Sequence, residues 1–199
     1  MSITLIVPFF ISGDDMEEYI LAFDEINALV AYSYEISKSI EEVIDDVLSI
    51  LIAAYKLGIH DVGKMLKYDI SVNVDTMQKA IYLEIDGKTF EDRARDHLLS
   101  GDLYALEILV ESEYHRVYNT ALFNGAILFR DDTGEDVTKE WRTLRDNKVR
   151  ETHEYLEGEE VDIDEEFYTF DGDHALHPGG FKKASNNVNC RCYLVISES

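Results

Sequence analysis

Residues 39–57 carry apolar side chains at three- and four-residue intervals, the spacing of one face of an α-helix. This wide apolar face is formed by Ile40, Val43, Ile44, Val47, Leu48, Leu51 and Ile52. The acidic residues between them, such as Glu41 and Asp45, lie on the opposite face. An apolar stripe of this width favours a helix that packs against other helices. We therefore predict a helix over residues 39–57, with Gly58 as its C-cap.

Further helices are predicted on both sides of this segment. The turn at residues 12–15 begins a helix with Ile20, Phe23 and Ile26 on its apolar face. Residues 59–67 indicate a short helix, and residues 76–85 fit a helix or a strand equally well. Thr89 with Asp92 resembles a capping box, which predicts a helix to about residue 99. Residues 100–102 break that helix, and a long helix follows over 103–124 and ends at Gly125.

The pattern changes after Gly125. We expect short strands at 126–129, 161–163, 167–170 and 192–196, a turn at 131–134, and a polar segment that begins at Trp141. A short helix is expected at 149–156, ended by Gly158, and the Pro and Gly residues make 177–180 irregular. Residues 3–11 are predicted to form an edge strand or an arm that packs on a partner.

These elements predict the α+β class, with a mostly helical N-terminal region followed by a small α/β module that contains a short sheet. The predicted domains are a helical region with its apolar arm, residues 1–125, and a C-terminal domain, residues 126–199.

Acidic residues outnumber basic ones by 41 to 18, which gives a net charge of −23. A field of that sign repels phosphate, so we expect no direct binding of nucleic acid. The apolar run at 3–11 is about half of the ~20 residues that a membrane span requires, and we predict no membrane association. The two cysteines exclude a disulfide framework and favour a reducing cytoplasm. The acidic run at 157–166 is interpreted as a solvated loop with a short strand, or alternatively as a docking surface or cation site.

Two separated segments contain the residues best suited to chemistry. Asp146, Arg150 and His153 are four and three residues apart and lie on one face if a single helix includes them. Cys190 and Cys192 enter a strand, where they point to the same side. If helix and strand meet, they form a cluster of Asp, Arg, His and two thiols.

Three interpretations of this cluster remain open. In the structural one, Asp146 caps the helix and pairs with Arg150, while His153 and the cysteines are core residues. In the second, Cys190, Cys192 and His153 bind zinc, with His174 or His177 as a speculative fourth ligand. In the third, a cysteine and a histidine form a nucleophile pair. The structural interpretation is preferred, so we predict no metal, no catalytic residue and no cofactor.

Another motif, Glu111-Ser112-Glu113, has the Glu-x-Glu spacing of arginine-specific ADP-ribosyltransferases. Those enzymes also need a Ser-Thr-Ser strand, which this sequence lacks. Helical spacing places the two glutamates on different faces, so we interpret them as solvated or capping residues.

The C-terminal third resembles the phage head morphogenesis family typified by Mu protein F. The resemblance is formed, in order, by Trp141, Asp146, Arg150, His153, Gly158, Phe167, Pro178, Gly179, Asn189, Cys190, Arg191 and Cys192. The preceding helix is also similar, with Glu111-Ser112-Glu113 where the family usually has Arg-Thr-Glu.

This resemblance implies a minor head (capsid) protein of a phage or prophage, acting in head morphogenesis without catalysis. Portal or other inner capsid proteins are its implied partners, with the host cytoplasm during assembly and then the head interior as its location. The alternative is a small enzyme or effector, ADP-ribosyltransferase-like or dependent on a thiol or metal, that uses Asp146, Arg150, His153 and Cys190.

Overall fold

The computed structural model of the protein describes residues 16–36 and 39–199, with side chains from residue 26 onward. The arm predicted at residues 3–11 lies outside the described residues. The helices of the N-terminal part are α1 (Met16–Ile36), α2 (Ile40–Met65), α3 (Val74–Ile81), α4 (Phe90–Ser100) and α5 (Leu103–Thr133). They are followed by β1 (Val137–Thr143), α6 (Glu151–Glu154), β2 (Glu160–Asp162), β3 (Phe167–Tyr168), β4 (His174–Ala175), α7 (Ala184–Asn187) and β5 (Cys192–Glu198). The α+β prediction is confirmed.

Helices α2 and α5 form the centre of the helical region, and each is longer than predicted. The predicted end at Gly58 is wrong, because this glycine lies inside α2 against the backbone of α5. A Cβ atom at position 58 would lie 2.6 Å from the Tyr118 carbonyl oxygen and 2.7 Å from the Ala121 Cβ. The two glycines therefore mark a close helix crossing, since Gly125 of α5 lies in the same way against Val62.

The strand predicted at 126–129 is also wrong, because α5 continues through it to Thr133. Gly134, with φ of 75°, ends the helix in the left-handed conformation. Residues 126–129 belong to the apolar face of α5, with Ala126 and Phe129 buried. A short apolar run fits either structure by pattern alone, and packing against α2 decides for the helix.

The structure agrees more closely with the other predictions for the N-terminal part. The ambiguous segment at 76–85 contributes α3, which begins after the N-cap Asn73. The capping box of Thr89 and Asp92 is confirmed at the start of α4, and Gly101 ends that helix with φ of 71°. Within the described residues, no helix has the length and apolarity that crossing a bilayer requires.

Residues 134–199, called the sheet region below, carry two antiparallel sheets, with strand orders β2-β1-β5 and β3-β4. Trp141 pairs with Leu194 and Thr143 with Cys192, so the strand at the single tryptophan lies beside the strand at the two thiols. Side chains of β1 alternate, with Val137, Lys139, Trp141 and Thr143 facing inward. The polar segment predicted from Trp141 is therefore wrong for residues 141–143, because the inward-facing Lys139 hides the period of two that marks a strand.

The sheet region is fixed to α5 by a buried side chain. The Asn119 side-chain oxygen of α5 accepts a hydrogen bond of 3.1 Å from the backbone N–H of Leu194 in β5. Asn119 is fully buried, and its amide nitrogen donates to the carbonyl of His115 at 3.0 Å. One face of α5 therefore supports the start of β5, where the two cysteines lie.

Candidate functional site

Two thiols and one imidazole meet inside the sheet region. The Nδ1 atom of His153, in α6, lies 3.4 Å from the Cys190 sulfur and 3.3 Å from the Cys192 sulfur. His153 is 1% exposed, Cys190 4% and Cys192 0%. The predicted meeting of helix and double-thiol strand is therefore found, and we call these three residues the thiol–imidazole cluster.

Local backbone geometry presents both thiols to the same side. Asn189 adopts a left-handed φ of 53°, a conformation that asparagine tolerates better than most residues. The turn is closed by the Cys190 backbone N–H, which donates to the Asn187 carbonyl at 3.1 Å. Cys192 then begins β5, so the short Cys-x-Cys spacing spans a turn and the first position of a strand.

Aromatic rings surround the cluster. The Trp141 ring lies 5.5 Å from the His153 ring at 81°, and the Phe181 ring lies 5.3 Å from it. Phe167 contacts Trp141 edge-on at 5.2 Å. These rings replace water around the thiols, which leaves the sulfur and nitrogen atoms to interact with one another.

A second histidine approaches from α5. His115 is 1% exposed and its side chain interacts with the Cys190 thiol. Sequence reasoning missed it, because His115 lies inside a long helix with no motif around it. One feature points to His115 indirectly. It lies four residues before Asn119, on the same face of α5, and the Asn119 side chain is hydrogen-bonded to β5.

The two thiols differ in their affinity for a proton. Burial raises the pKa of Cys190, but interactions with Cys192, His115 and His153 outweigh it and hold that pKa below its ordinary value. Burial raises the pKa of Cys192, and the neighbouring Cys190 raises it further. Cys190 therefore gives up its proton more readily than Cys192 does.

The predicted pairing of Asp146 with Arg150 is wrong. Helix α6 begins only at Glu151, so the two residues precede it and do not share a helix face. Asp146 instead pairs with Arg191, whose Nε lies 2.7 Å from the carboxylate. Arg150 donates to the backbone carbonyls of Ser185 and Val188, so it fastens the segment before α6 to the segment before Cys190.

Several other motif residues shape the backbone around the cluster. Gly158, with φ of 79°, donates its N–H to the Trp141 carbonyl at 2.8 Å. Gly179, with φ of 81°, lies against α5, where a Cβ atom would come within 2.9 Å of the Arg116 Cα. The preceding Pro178 is buried, and residues 177–180 are irregular as predicted.

The two histidines considered as fourth zinc ligands lie elsewhere. The Nδ1 atom of His174 is 2.8 Å from a Glu166 oxygen, and its ring stacks on Tyr168. His177 faces Phe123 and lies 3.4 Å from the Thr120 hydroxyl. Neither histidine belongs to the group of ligand atoms formed by His153, Cys190 and Cys192, so the geometry does not support either one as the fourth ligand.

Glu113 is neither solvated nor a cap, contrary to prediction. It is 4% exposed and forms ion pairs with Arg116 at 2.7 Å and with Arg93 at 3.2 Å. Burial raises the pKa of Glu113, but the two guanidinium groups outweigh it and lower the pKa. The Glu-x-Glu spacing thus places one glutamate in a buried charge network that joins α4 to α5.

Asp173 and Lys139 are buried charged residues of the sheet region, and no motif or spacing in the sequence predicts their burial. Asp173 is 3% exposed and accepts hydrogen bonds from the backbone N–H groups of His174, Lys182 and Lys183 and from the Asn186 amide. Lys139 is 0% exposed and donates to the Ile163 carbonyl at 2.7 Å. Burial lowers the pKa of Lys139 to about 8, although nearby carboxylates such as Asp164 raise it.

A cavity of about 750 Å³ lies on the other side of Phe181, the ring that packs on His153, and none of the three cluster residues lines it. Its lining includes Arg93, Glu113, Arg116 and His177, and comes from α3, α4, α5 and residues 177–188. None of the described residues that line this cavity is Asp146, Arg150, His153 or Cys190. The pocket that an enzyme built on those four side chains would require is therefore not this cavity.

Together, fold and site define a class of protein: a helical region that carries a small antiparallel sheet over a closed thiol–imidazole cluster. The sequence profile of the family described as "Phage Mu protein F like protein" matches residues 72–195, which is more than half of the chain. The chain belongs to this family, and the resemblance inferred from the motif residues is confirmed. It is therefore related to phage head proteins.

One curated protein is similar over a shorter stretch. It is the NAD(+)--arginine ADP-ribosyltransferase EFV of Enterococcus faecalis (strain ATCC 700802 / V583), 44% identical over 64 residues. That stretch is 32% of this chain and 13% of the relative. No solved structure matches the chain.

Proposed function

We propose that the protein is a non-enzymatic minor head protein that binds the portal, or another inner capsid protein, during head assembly. Family membership supports the role in the head. The observation that carries the contact is a group of exposed aromatic side chains on the sheet region. In this proposal the protein acts in the host cytoplasm and then remains inside the head of a phage or prophage particle.

The exposed group consists of Tyr155, Tyr168 and Phe170, which we call the aromatic patch. These side chains are 68%, 58% and 59% exposed. The rings of Tyr155 and Phe170 meet edge-on at 6.3 Å. Tyr168 and Phe170 are two residues apart, and the intervening Thr169 is buried, so both rings point to the outside.

Large exposed aromatic groups favour binding to another protein. Aromatic side chains are enriched at the centres of protein interfaces, where they bury much area at little entropic cost. The exposed acids Glu154 and Asp171 are the chain neighbours of Tyr155 and Phe170, Asp171 being paired with Lys183 at 2.9 Å, in a chain with net charge −23. The complementary partner surface is apolar with a basic border, which fits a protein and disfavours a phosphate backbone.

The test compares the aromatic patch with an equally exposed tyrosine elsewhere. Tyr104, 73% exposed near the start of α5, provides the matched control. The wild-type chain, the triple variant Tyr155→Ala/Tyr168→Ala/Phe170→Ala and the control Tyr104→Ala are each co-expressed with the portal and capsid proteins of the same phage genome. Portal complexes and procapsids are then purified, and the bound protein is quantified.

We expect the wild type and Tyr104→Ala to co-purify, and the triple variant to be reduced about tenfold or more, as for loss of interface hot spots. Retention of the triple variant at the wild-type level overturns the role of the patch. Absence of the wild type from portal complexes, procapsids and particles overturns the proposed function.

The alternative enzyme has less support in the geometry. A catalytic Cys–His pair needs access to substrate, whereas Cys190 and His153 are 4% and 1% exposed. Asp146 and Arg150 are engaged by Arg191 and by backbone carbonyls. Transfer of ADP-ribose from NAD⁺ to an arginine substrate, measured for the folded wild type, tests the remaining candidate: turnover supports the enzyme, and its absence counts against it.

A further inference from the structure

In the thiol–imidazole cluster, two sulfur atoms share a single imidazole nitrogen, and that nitrogen cannot form a good hydrogen bond to both. One imidazole nitrogen carries either one N–H or one lone pair, so it makes one good hydrogen bond. Nevertheless, two sulfur atoms lie at almost equal distances from the same Nδ1 atom, 3.4 and 3.3 Å. Three soft donors converge on one point, which is the arrangement that a thiophilic cation requires.

The distances also match those of a metal site. In a tetrahedral zinc site, with Zn–S of about 2.3 Å and Zn–N of about 2.0–2.1 Å, sulfur and nitrogen ligands lie roughly 3.5 Å apart. One ligand atom from each of His153, Cys190 and Cys192 lies within 4.8 Å of the other two. Small side-chain rotations therefore suffice to bind an ion at their centre.

A fourth donor is available from the helical region. The His115 side chain is buried on α5, four residues before the Asn119 that bonds to β5, and it interacts with the Cys190 thiol from just outside the group of three ligand atoms that lie within 4.8 Å of one another. No other part of the cluster's surroundings offers an imidazole, because His174 and His177 are held by other contacts among the described residues. Two thiolates and two neutral imidazoles around Zn²⁺ have no net charge, which suits a site enclosed by aromatic rings.

The surroundings are those of a closed, structural site rather than a catalytic one. Burial and the neighbouring Cys190 raise the pKa of Cys192, whereas the Trp141 side chain acts in the opposite direction and lowers it. Trp141, Phe167 and Phe181 enclose the cluster and leave no open position for water or substrate.

We propose that Cys190, Cys192, His153 and His115 bind one Zn²⁺ ion that joins β5, α6 and α5. When the ion binds, any proton that the two sulfur atoms or the two ligating imidazole nitrogens still carry is released to solvent, so that two thiolates and two neutral imidazoles hold the ion, and no electron is transferred. The ion would fix the last strand to the helical region at the point where the chain otherwise relies on Asn119.

The test measures metal on the purified full-length protein and does not involve a capsid partner, so it is independent of the proposed function. Zinc is quantified by mass spectrometry after purification from zinc-supplemented medium. The wild type is then stripped with a chelator and titrated with Co²⁺, whose visible spectrum distinguishes tetrahedral thiolate ligation from octahedral ligation. His174→Ala is the matched histidine control.

We expect one Zn²⁺ per chain in the wild type and in His174→Ala, and an intense tetrahedral Co²⁺ spectrum with thiolate charge-transfer bands. Cys192→Ser and His153→Ala are expected to lose the zinc, and His115→Ala to bind Co²⁺ with a changed spectrum. Zinc added back to the stripped wild type should raise its melting temperature.

A folded wild type that takes up neither Zn²⁺ nor tetrahedral Co²⁺ overturns the site. An unchanged Co²⁺ spectrum in His115→Ala overturns the assignment of the fourth ligand. If Cys192→Ser fails to fold, the titration of stripped wild type decides, because that experiment needs no variant.

Discussion

The helical region, α1 to α5, buries mainly aliphatic side chains, such as Val47, Leu51 and Leu122. The sheet region instead buries rings, thiols and charged groups around Trp141. The first core is stabilised mainly by non-directional apolar area and by the close approach of α2 and α5, with the ion pairs of Glu113 as its buried charged exception. The second depends on hydrogen bonds with defined partners, since a buried polar group without a partner is costly.

Because of this difference, the two regions are expected to lose stability through different kinds of substitution. In the helical region, a substitution is expected to lower stability either by removing buried apolar area or by adding atoms where there is no space for them. In the sheet region, most elements have only two to seven residues, and side chains such as Arg150 and Asp173 supply hydrogen bonds that short strands cannot. Single polar substitutions should therefore matter more in the sheet region than in the helices.

The largest effect is expected at the centre of the sheet region. Trp141→Ala removes a fully buried ring that contacts His153, Phe167 and Phe181. We expect the free energy of unfolding to fall by about 3–5 kcal/mol, measured by circular dichroism during denaturation.

Leu51→Ala, also fully buried, is the matched substitution in the helical region, with an expected loss of about 2–4 kcal/mol. A loss below about 1 kcal/mol in Trp141→Ala would show that the aromatic rings are not the core of the sheet region.

A smaller effect is expected at Asp173, and it depends on pH. Burial raises the pKa of Asp173, but hydrogen bonds from Asn186 and from the backbone of Lys183, His174 and Lys182 outweigh it and lower the pKa. The contribution of Asp173 to stability is therefore present above its unfolded pKa of about 4 and is lost as pH falls through the lower folded pKa.

Asp173→Asn should accordingly cost about 2–3 kcal/mol at pH 7, as for hydrogen bonds to a charged acceptor. The difference from wild type should shrink as the pH is lowered below about 4. Asp132→Asn, at an exposed position, is the control and should change stability by less than about 0.5 kcal/mol. A pH-independent difference would contradict the charged network.

The smallest of the three effects tests the helix crossing. Helix propensity alone predicts that Gly58→Ala stabilises α2 by up to about 1 kcal/mol. The new methyl group would meet the Tyr118 carbonyl of α5 at 2.6 Å, and overpacking costs about 1–3 kcal/mol. We expect a net loss of about 1–2 kcal/mol in thermal or chemical denaturation.

Ser49→Ala, on the exposed face of the same helix, should be neutral or slightly stabilising. A gain of stability in Gly58→Ala would mean that α2 and α5 are not in contact at this glycine.

The sequence by itself determined most of the helical region. The apolar stripe of α2, the capping box at Thr89 and the αL glycine at position 101 depend on neighbours within a few residues, so local pattern was sufficient. The sequence also indicated that His153 and the two thiols form one cluster if the helix and the strand meet, and the structure brings them together.

Only the tertiary structure decided the rest. Whether Gly58 and Gly125 end helices or allow two helices to cross depends on a partner more than 50 residues away in the sequence. The partner of Asp146 is Arg191 rather than the nearby Arg150, because the chain between 146 and 150 is not helical. His115 joins the thiols through the packing of α5 on β5, a long-range contact that no local spacing encodes. Short-range periodicity fixes helices, whereas buried polar partners are chosen by the packing of distant segments.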